Sequence, residues 1–160
     1  MSFICATCGE EHDEWPPDRA FGLPDEIYAL SADERAARAK TSDDFCVLDE
    51  DRWFIRTVLS IPLRGRADRW GVGLWVEISE ADCGRYYRLF NVDASREPGF
   101  PGRIANAVAT FDDSLGASVH VQLGPASKRP TLIFDAQDSC SLAVAQREGL
   151  TDAAVHAALA

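Results

Sequence analysis

Two cysteines and a histidine crowd the start of the chain, in the stretch FICATCGEEH at residues 3–12. Cys5 and Cys8 form a C-x2-C pair, a spacing at which two thiolates can share one metal ion in a tight turn. Gly9 permits the positive φ that turns backbone N–H groups toward the sulfurs. His12 follows closely enough to be a third ligand. The fourth must come from a distance. Cys46 is the best placed, because it begins the first clear strand, directly after the turn-like TSDDF. The set reads C-x2-C-x3-H-x33-C, a Cys3His composition typical of closed structural zinc sites. One structural zinc per chain is the expected cofactor.

Other readings of the same residues stand beside this one. A thioredoxin-like C-x2-C opens a helix, but GEEHDEWPP is a poor helix and no helical pattern follows until residue 31. A redox role needs an unmetallated Cys5–Cys8 pair with a depressed thiol pKa. Cys46 alone can be a small buried side chain at the start of an apolar strand. If it does not ligate, Cys5, Cys8 and His12 leave a position for water, which is the catalytic zinc pattern. Cys83 reads as core or surface, and His120 and His156 as solvated or hydrogen-bonded. Asp43 and Asp44 are candidates for capping a turn, supporting His12 or holding a cation. Arg56, mid-strand, requires a carboxylate, an anion or solvent. Trp53, Trp70 and Trp75 read as core aromatics; a functional version puts Trp75 in an exposed groove on the face opposite Trp70. G-x-S-x-G, P-loop, G-x-G-x-x-G and H-E-x-x-H motifs are absent, as is the zinc-deaminase signature.

The elements that must position these residues follow from periodicity and breakers. Pro16, Pro17, Gly22 and Pro24 forbid a long helix, so residues 13–30 form an irregular lead-in. Ser31 with Glu34 is a capping-box pattern that opens a short polar helix over 32–40. Residues 45–48 and 52–62 are rich in β-branched and aromatic types and read as strands. After the RGRAD loop, Trp70, Val72, Leu74, Val76 and Ile78 alternate with Gly71, Gly73, Trp75 and Glu77, a strand with one strongly apolar face. The glycines on its other face point to a bulge or a close backbone approach. Ser79 caps a helix over 79–90. NVDASREPGFPGR reads as a loop, and 104–111 as strand or helix. ASVHVQL and PTLIFDA are two further strands. The tail is two short helices divided by Gly149, with Thr151 capping the last.

Several of these stretches, in this order, resemble a bacterial family known as domain of unknown function 2199. The resemblance rests on CATCGEEH, LPDEIYALSADERAARA, SDDFCVLDEDRWFIRTVLSIPL, WGVGLWVEIS, the RP at 129–130 and SLAVAQREGLT, and spans nearly the whole chain. It implies Cys5, Cys8, His12 and Cys46 as a group. The position of Cys140 is commonly histidine in that pattern, which makes Cys140 a reserve ligand. No reaction is implied.

The totals bound the function. The 160 residues suit one domain, with residues 1–30 a metal-binding lead-in packed on a 45–160 core. Strands grouped centrally with short helices around them give an α+β fold, with a mainly antiparallel sheet and an N-terminal segment like a zinc knuckle. A net charge of −10 disfavours nucleic acid, whose binders neutralise phosphate with basic stripes, and suits a basic protein partner. Apolar runs fall short of the roughly 20 residues that span a bilayer. MSFICATCGEE lacks a basic, apolar secretory leader, and an odd five cysteines fit a reducing compartment, so the expected location is cytoplasmic. The expectation is a small zinc-binding interaction module, with a zinc metalloenzyme as the alternative.

Overall fold

A computed structural model of the chain describes residues 3–4, 11–12 and 18–159, with the backbone alone described at 3, 4 and 12. In chain order the elements are β1 (Phe3–Ile4), β2 (Glu11–His12), β3 (Arg19–Ala20), α1 (Asp25–Tyr28), α2 (Ala32–Arg38), β4 (Ala39–Thr41), β5 (Phe45–Leu48), β6 (Arg52–Pro62) and β7 (Arg69–Ile78). They continue with α3 (Glu80–Leu89), β8 (Phe100–Ile104), β9 (Ser118–Gln122), β10 (Thr131–Ile133), α4 (Ser141–Glu148) and α5 (Asp152–Ala158). The fold is α+β, as its sequence pattern implies.

The expected caps form. Ser31 Oγ accepts from the Glu34 amide at 3.2 Å, Ser79 Oγ from Asp82 at 3.1 Å and Thr151 Oγ1 from Ala154 at 3.2 Å, each satisfying an amide the helix cannot. Gly149 ends α4 with φ of 79°. Two boundaries depart from expectation. The helix from residue 32 stops at Arg38, because Ala39 turns extended and Ala39–Thr41 pairs antiparallel with β5. The strand placed ambiguously at 104–111 lies earlier, at Phe100–Ile104, inside a stretch read as loop. Pro101 and Gly102 disguise it.

The long β6–β7 hairpin is the spine, paired from Trp53↔Ile78 to Pro62↔Arg69. β8, β9 and β10 continue antiparallel from β7, and β10 returns to β6, Thr131 opposite Val58. The sheet thus closes into a five-stranded barrel with β3, β4 and β5 as additions. Five is odd, so in an up-and-down order the last strand must run with the first. That is why the closing pair β10–β6 is parallel while the other barrel pairs are antiparallel.

Side-chain alternation divides the spine into two apolar regions. Trp70, Val72, Leu74, Val76 and Ile78 all face the main core, as their period implies, together with Ile55, Leu59, Ile61, Phe100, Ile104, Val121 and Leu132. α3, α4 and α5 add Tyr86, Leu142 and Val155 to it. The opposite face holds a smaller core of Ile27, Cys46, Leu48, Phe54 and Trp75. Residues 21–30 cover it. The chain reaches it through β3, which runs parallel to β7, Ala20 opposite Gly73. A Cβ on Gly73 would stand 3.3 Å from the Ala20 Cβ, so the glycine serves the close approach its pattern suggested.

Candidate functional site

β1 and β2 pair antiparallel, Phe3 opposite His12 and Ile4 opposite Glu11. Cys5 and Cys8, which join them in sequence, lie outside the described residues, as does the side chain of His12. Cys46 is fully buried in the smaller core, against Ile27, Leu48, Phe54 and Trp75. Its strand places it there: Cys46 and Leu48 point to the face under residues 21–30, whereas Phe45 points toward α3. Burial pushes its thiol up to about 11, against a smaller opposing effect of the Arg56 charge. Cys83 is a buried residue of α3 whose thiol is likewise raised by burial. Cys140, the reserve ligand, is the residue before α4; its amide donates to Asp138 Oδ1 at 2.8 Å and its Sγ lies 3.7 Å from the Asp113 carbonyl. His120 is exposed on β9, and His156 lies on α5. Among the described residues no three histidines, cysteines or acids gather as a metal would require.

Among the described residues Arg56 pairs with backbone carbonyls and not with a carboxylate. Its Nη1 donates to the Asp43 carbonyl at 3.1 Å and its Nη2 to the Phe21 carbonyl at 3.0 Å, while the guanidinium lies 5.5 Å from the Trp75 ring centre. Its Nε is buried without a hydrogen-bond partner. Trp75 is fully buried, and its Nε1 donates to the same Phe21 carbonyl at 2.9 Å. The exposed-groove version of Trp75 is therefore corrected. Its wall is occupied by the lead-in, because two donors converge on one carbonyl of that segment and hold it down.

The described surface does form a cleft where α3 meets the turn before β5. Ser42 closes that turn, accepting from the Phe45 amide at 3.1 Å. The cleft encloses about 420 Å³ between Ser42, Asp43, Asp44 and Phe45 on one side and Tyr87, Phe90 and Asn91 on the other. A second hollow of about 460 Å³ shares Asp44 and Phe90 and is lined beyond them by Ser127, Lys128 and Arg129. The Asp44–Arg129 ion pair, 3.1 Å from Nε to Oδ1, divides the two. SDDF and RP, far apart in sequence, thus meet here. Of the Asp43–Asp44 pair, Asp44 is an ion-pair partner and Asp43 is exposed at the mouth. Tyr86 packs beneath, its ring 5.3 Å from that of Phe45 and 5.8 Å from that of Phe90. Sequence reading passed over the aromatic residues of RYYRLF as ordinary helix. The signal was available: 83, 86 and 90 share a helix face, which leaves Tyr87 beside it, outward.

These features define an acidic, barrel-cored α+β protein with a cleft beside α3. The chain belongs to the DUF2199 family, described as an uncharacterised protein conserved in bacteria, whose profile matches residues 4–150. No curated protein and no solved structure matches it. No helix among the described residues is long and apolar enough to cross a membrane.

Proposed function

We propose that the protein binds one zinc ion through Cys5, Cys8, His12 and Cys46, that the metal is structural, and that the chain is an interaction module for a basic protein. The observation that carries the metal reading is the position of Cys46. It lies on the face of the spine that residues 21–30 cover. Three thiolates and an imidazole are a soft donor set suited to zinc. A thiol that burial holds protonated must surrender its proton on ligation, so zinc binding releases protons. An N-terminal hairpin joined to β5 in this way is the zinc-knuckle-like part of the fold. The net charge of −10 supports the partner class.

Substitution at Cys46 tests the metal reading. Cys46→Val keeps an apolar side chain of similar size and cannot ligate, whereas Cys46→Ser is the weaker-ligand variant. Both should lose most of their zinc to a mild chelator while the parent retains it. If Cys46→Val holds stoichiometric zinc as firmly as the parent, the ligand set is open, and the metalloenzyme reading replaces this one.

A further inference from the structure

We propose that the cleft between α3 and the Ser42–Phe45 turn receives an arginine side chain of a basic protein partner. The proposal rests on the interaction-module reading and names the place of contact. Three aromatic residues form its apolar walls. Phe45 packs edge-on against Tyr87 at 5.7 Å and 67° and tilted against Phe90 at 6.0 Å and 54°, and all three residues line the hollow. Tyr87 is 72% exposed, a large aromatic whose outer side is left open by the described residues. A guanidinium stacks on such faces. Asp43 and Asp44 stand at the mouth. Arg129 engages Asp44 through Oδ1, which leaves Oδ2 for another donor.

Beneath the rings lies an independent sign of a ligand. Tyr86 is 3% exposed, yet its hydroxyl has no hydrogen-bond partner. Buried hydroxyls are costly to leave unpaired, and native folds rarely do so. Its ring is held by Phe45 and Phe90, both of which line the cleft, and the charges of Asp44 and Arg129 act on its hydroxyl. The phenol oxygen is therefore buried beneath the cleft, within reach of the charges of Asp44 and Arg129, and Tyr86 itself lines neither hollow. A planar cation in the cleft reaches Asp43 and Asp44 Oδ2, and where it parts the rings above Tyr86 it supplies the donor that the buried hydroxyl lacks. Lys128 and Arg129 make the far hollow basic and direct an incoming cation to the Asp43 side.

The test is fluorescence-anisotropy binding of a labelled peptide of alternating glycine and arginine to the full chain at physiological salt. The same peptide with citrulline in place of arginine is the neutral control. The arginine peptide should bind at least tenfold more tightly than the citrulline one. Asp43→Asn and Tyr87→Ala, both at exposed positions, should each weaken it about fivefold or more. Asp33→Asn, an equal loss of charge on α2, should leave it unchanged. Tyr86→Phe should weaken binding while leaving the melting temperature of the free protein equal or higher, since it removes an unpaired buried hydroxyl. If Asp33→Asn costs as much as Asp43→Asn and Tyr87→Ala is silent, attraction is diffuse: the cleft proposal fails and the basic-partner reading survives. If the parent binds neither peptide, both fail.

Discussion

Asn106 shows how one polar side chain can hold a segment that prolines keep from regular structure. It is fully buried. Its Oδ1 accepts from the Trp75 amide at 2.8 Å, and its Nδ2 donates to the Leu23 carbonyl and to Asp25 Oδ1, each at 2.9 Å. Spine and lead-in are therefore joined through one amide group. Removing it strands the buried Trp75 N–H and the half-buried Leu23 carbonyl together. Asn106→Ala should destabilise the fold by about 2–4 kcal/mol, from the cost of unpaired buried groups, read as a lower urea midpoint. A loss under about 0.5 kcal/mol would show that water takes over these bonds. Arg56 and Trp75 teach the complementary lesson. Their residue types gave correct burial pressures, a cation needing partners and an indole needing an acceptor. Their partner, the Phe21 carbonyl, carries no side-chain signature and could not be read from sequence.

At the scale of elements, the β6–β7 hairpin was the most legible part of the chain, because period-2 alternation reports directly on a two-faced strand. Leu74 lies fully inside the barrel. Leu74→Ala should cost about 2–5 kcal/mol, the range for a buried leucine truncated to a cavity. A change near zero would mean the barrel collapses around the gap. β8 was illegible because its pairing with β7 and β9 overrides the proline and glycine it contains. Gly102 is required there, because a Cβ would collide with Val76 Cγ1. An irregular lead-in with several prolines is expected, without metal, to loosen from residue 1 to about 30. The described part of it has its own anchors, among them Asp25 N–H to the Ala105 carbonyl at 2.9 Å and Arg35 to the carbonyls of Ile27 and Tyr28 at 3.1 and 2.8 Å. Apolar burial of Ile27 adds to them. Hydrogen exchange after chelation should therefore rise in residues 1–17 and stay slow at the amides of Asp25 and Ile27. Fast exchange at those two amides would show that the metal, rather than the smaller core, holds the lead-in.

Across the whole molecule, composition and alternation gave an α+β chain with a mainly antiparallel sheet. Closure into a barrel was not legible, because it depends on the parallel contact of β10 with β6, between residues some seventy positions apart, and local pattern does not encode who pairs with whom. The candidate site was legible in unequal parts. Cysteine spacing proposes Cys5, Cys8, His12 and Cys46 as a group, of which the described side chains include Cys46 alone, while the aromatic cleft needed the packing of α3 against the turn before β5 to exist at all. The proposed zinc would join these levels by tying the N-terminal strand pair to a strand of the sheet. Elemental analysis of the full chain, freshly purified without chelator after expression in zinc-supplemented medium, tests this directly. About one zinc per chain is the expected result, by the four-ligand rule for structural sites. Protein that is folded yet carries no stoichiometric metal would contradict it.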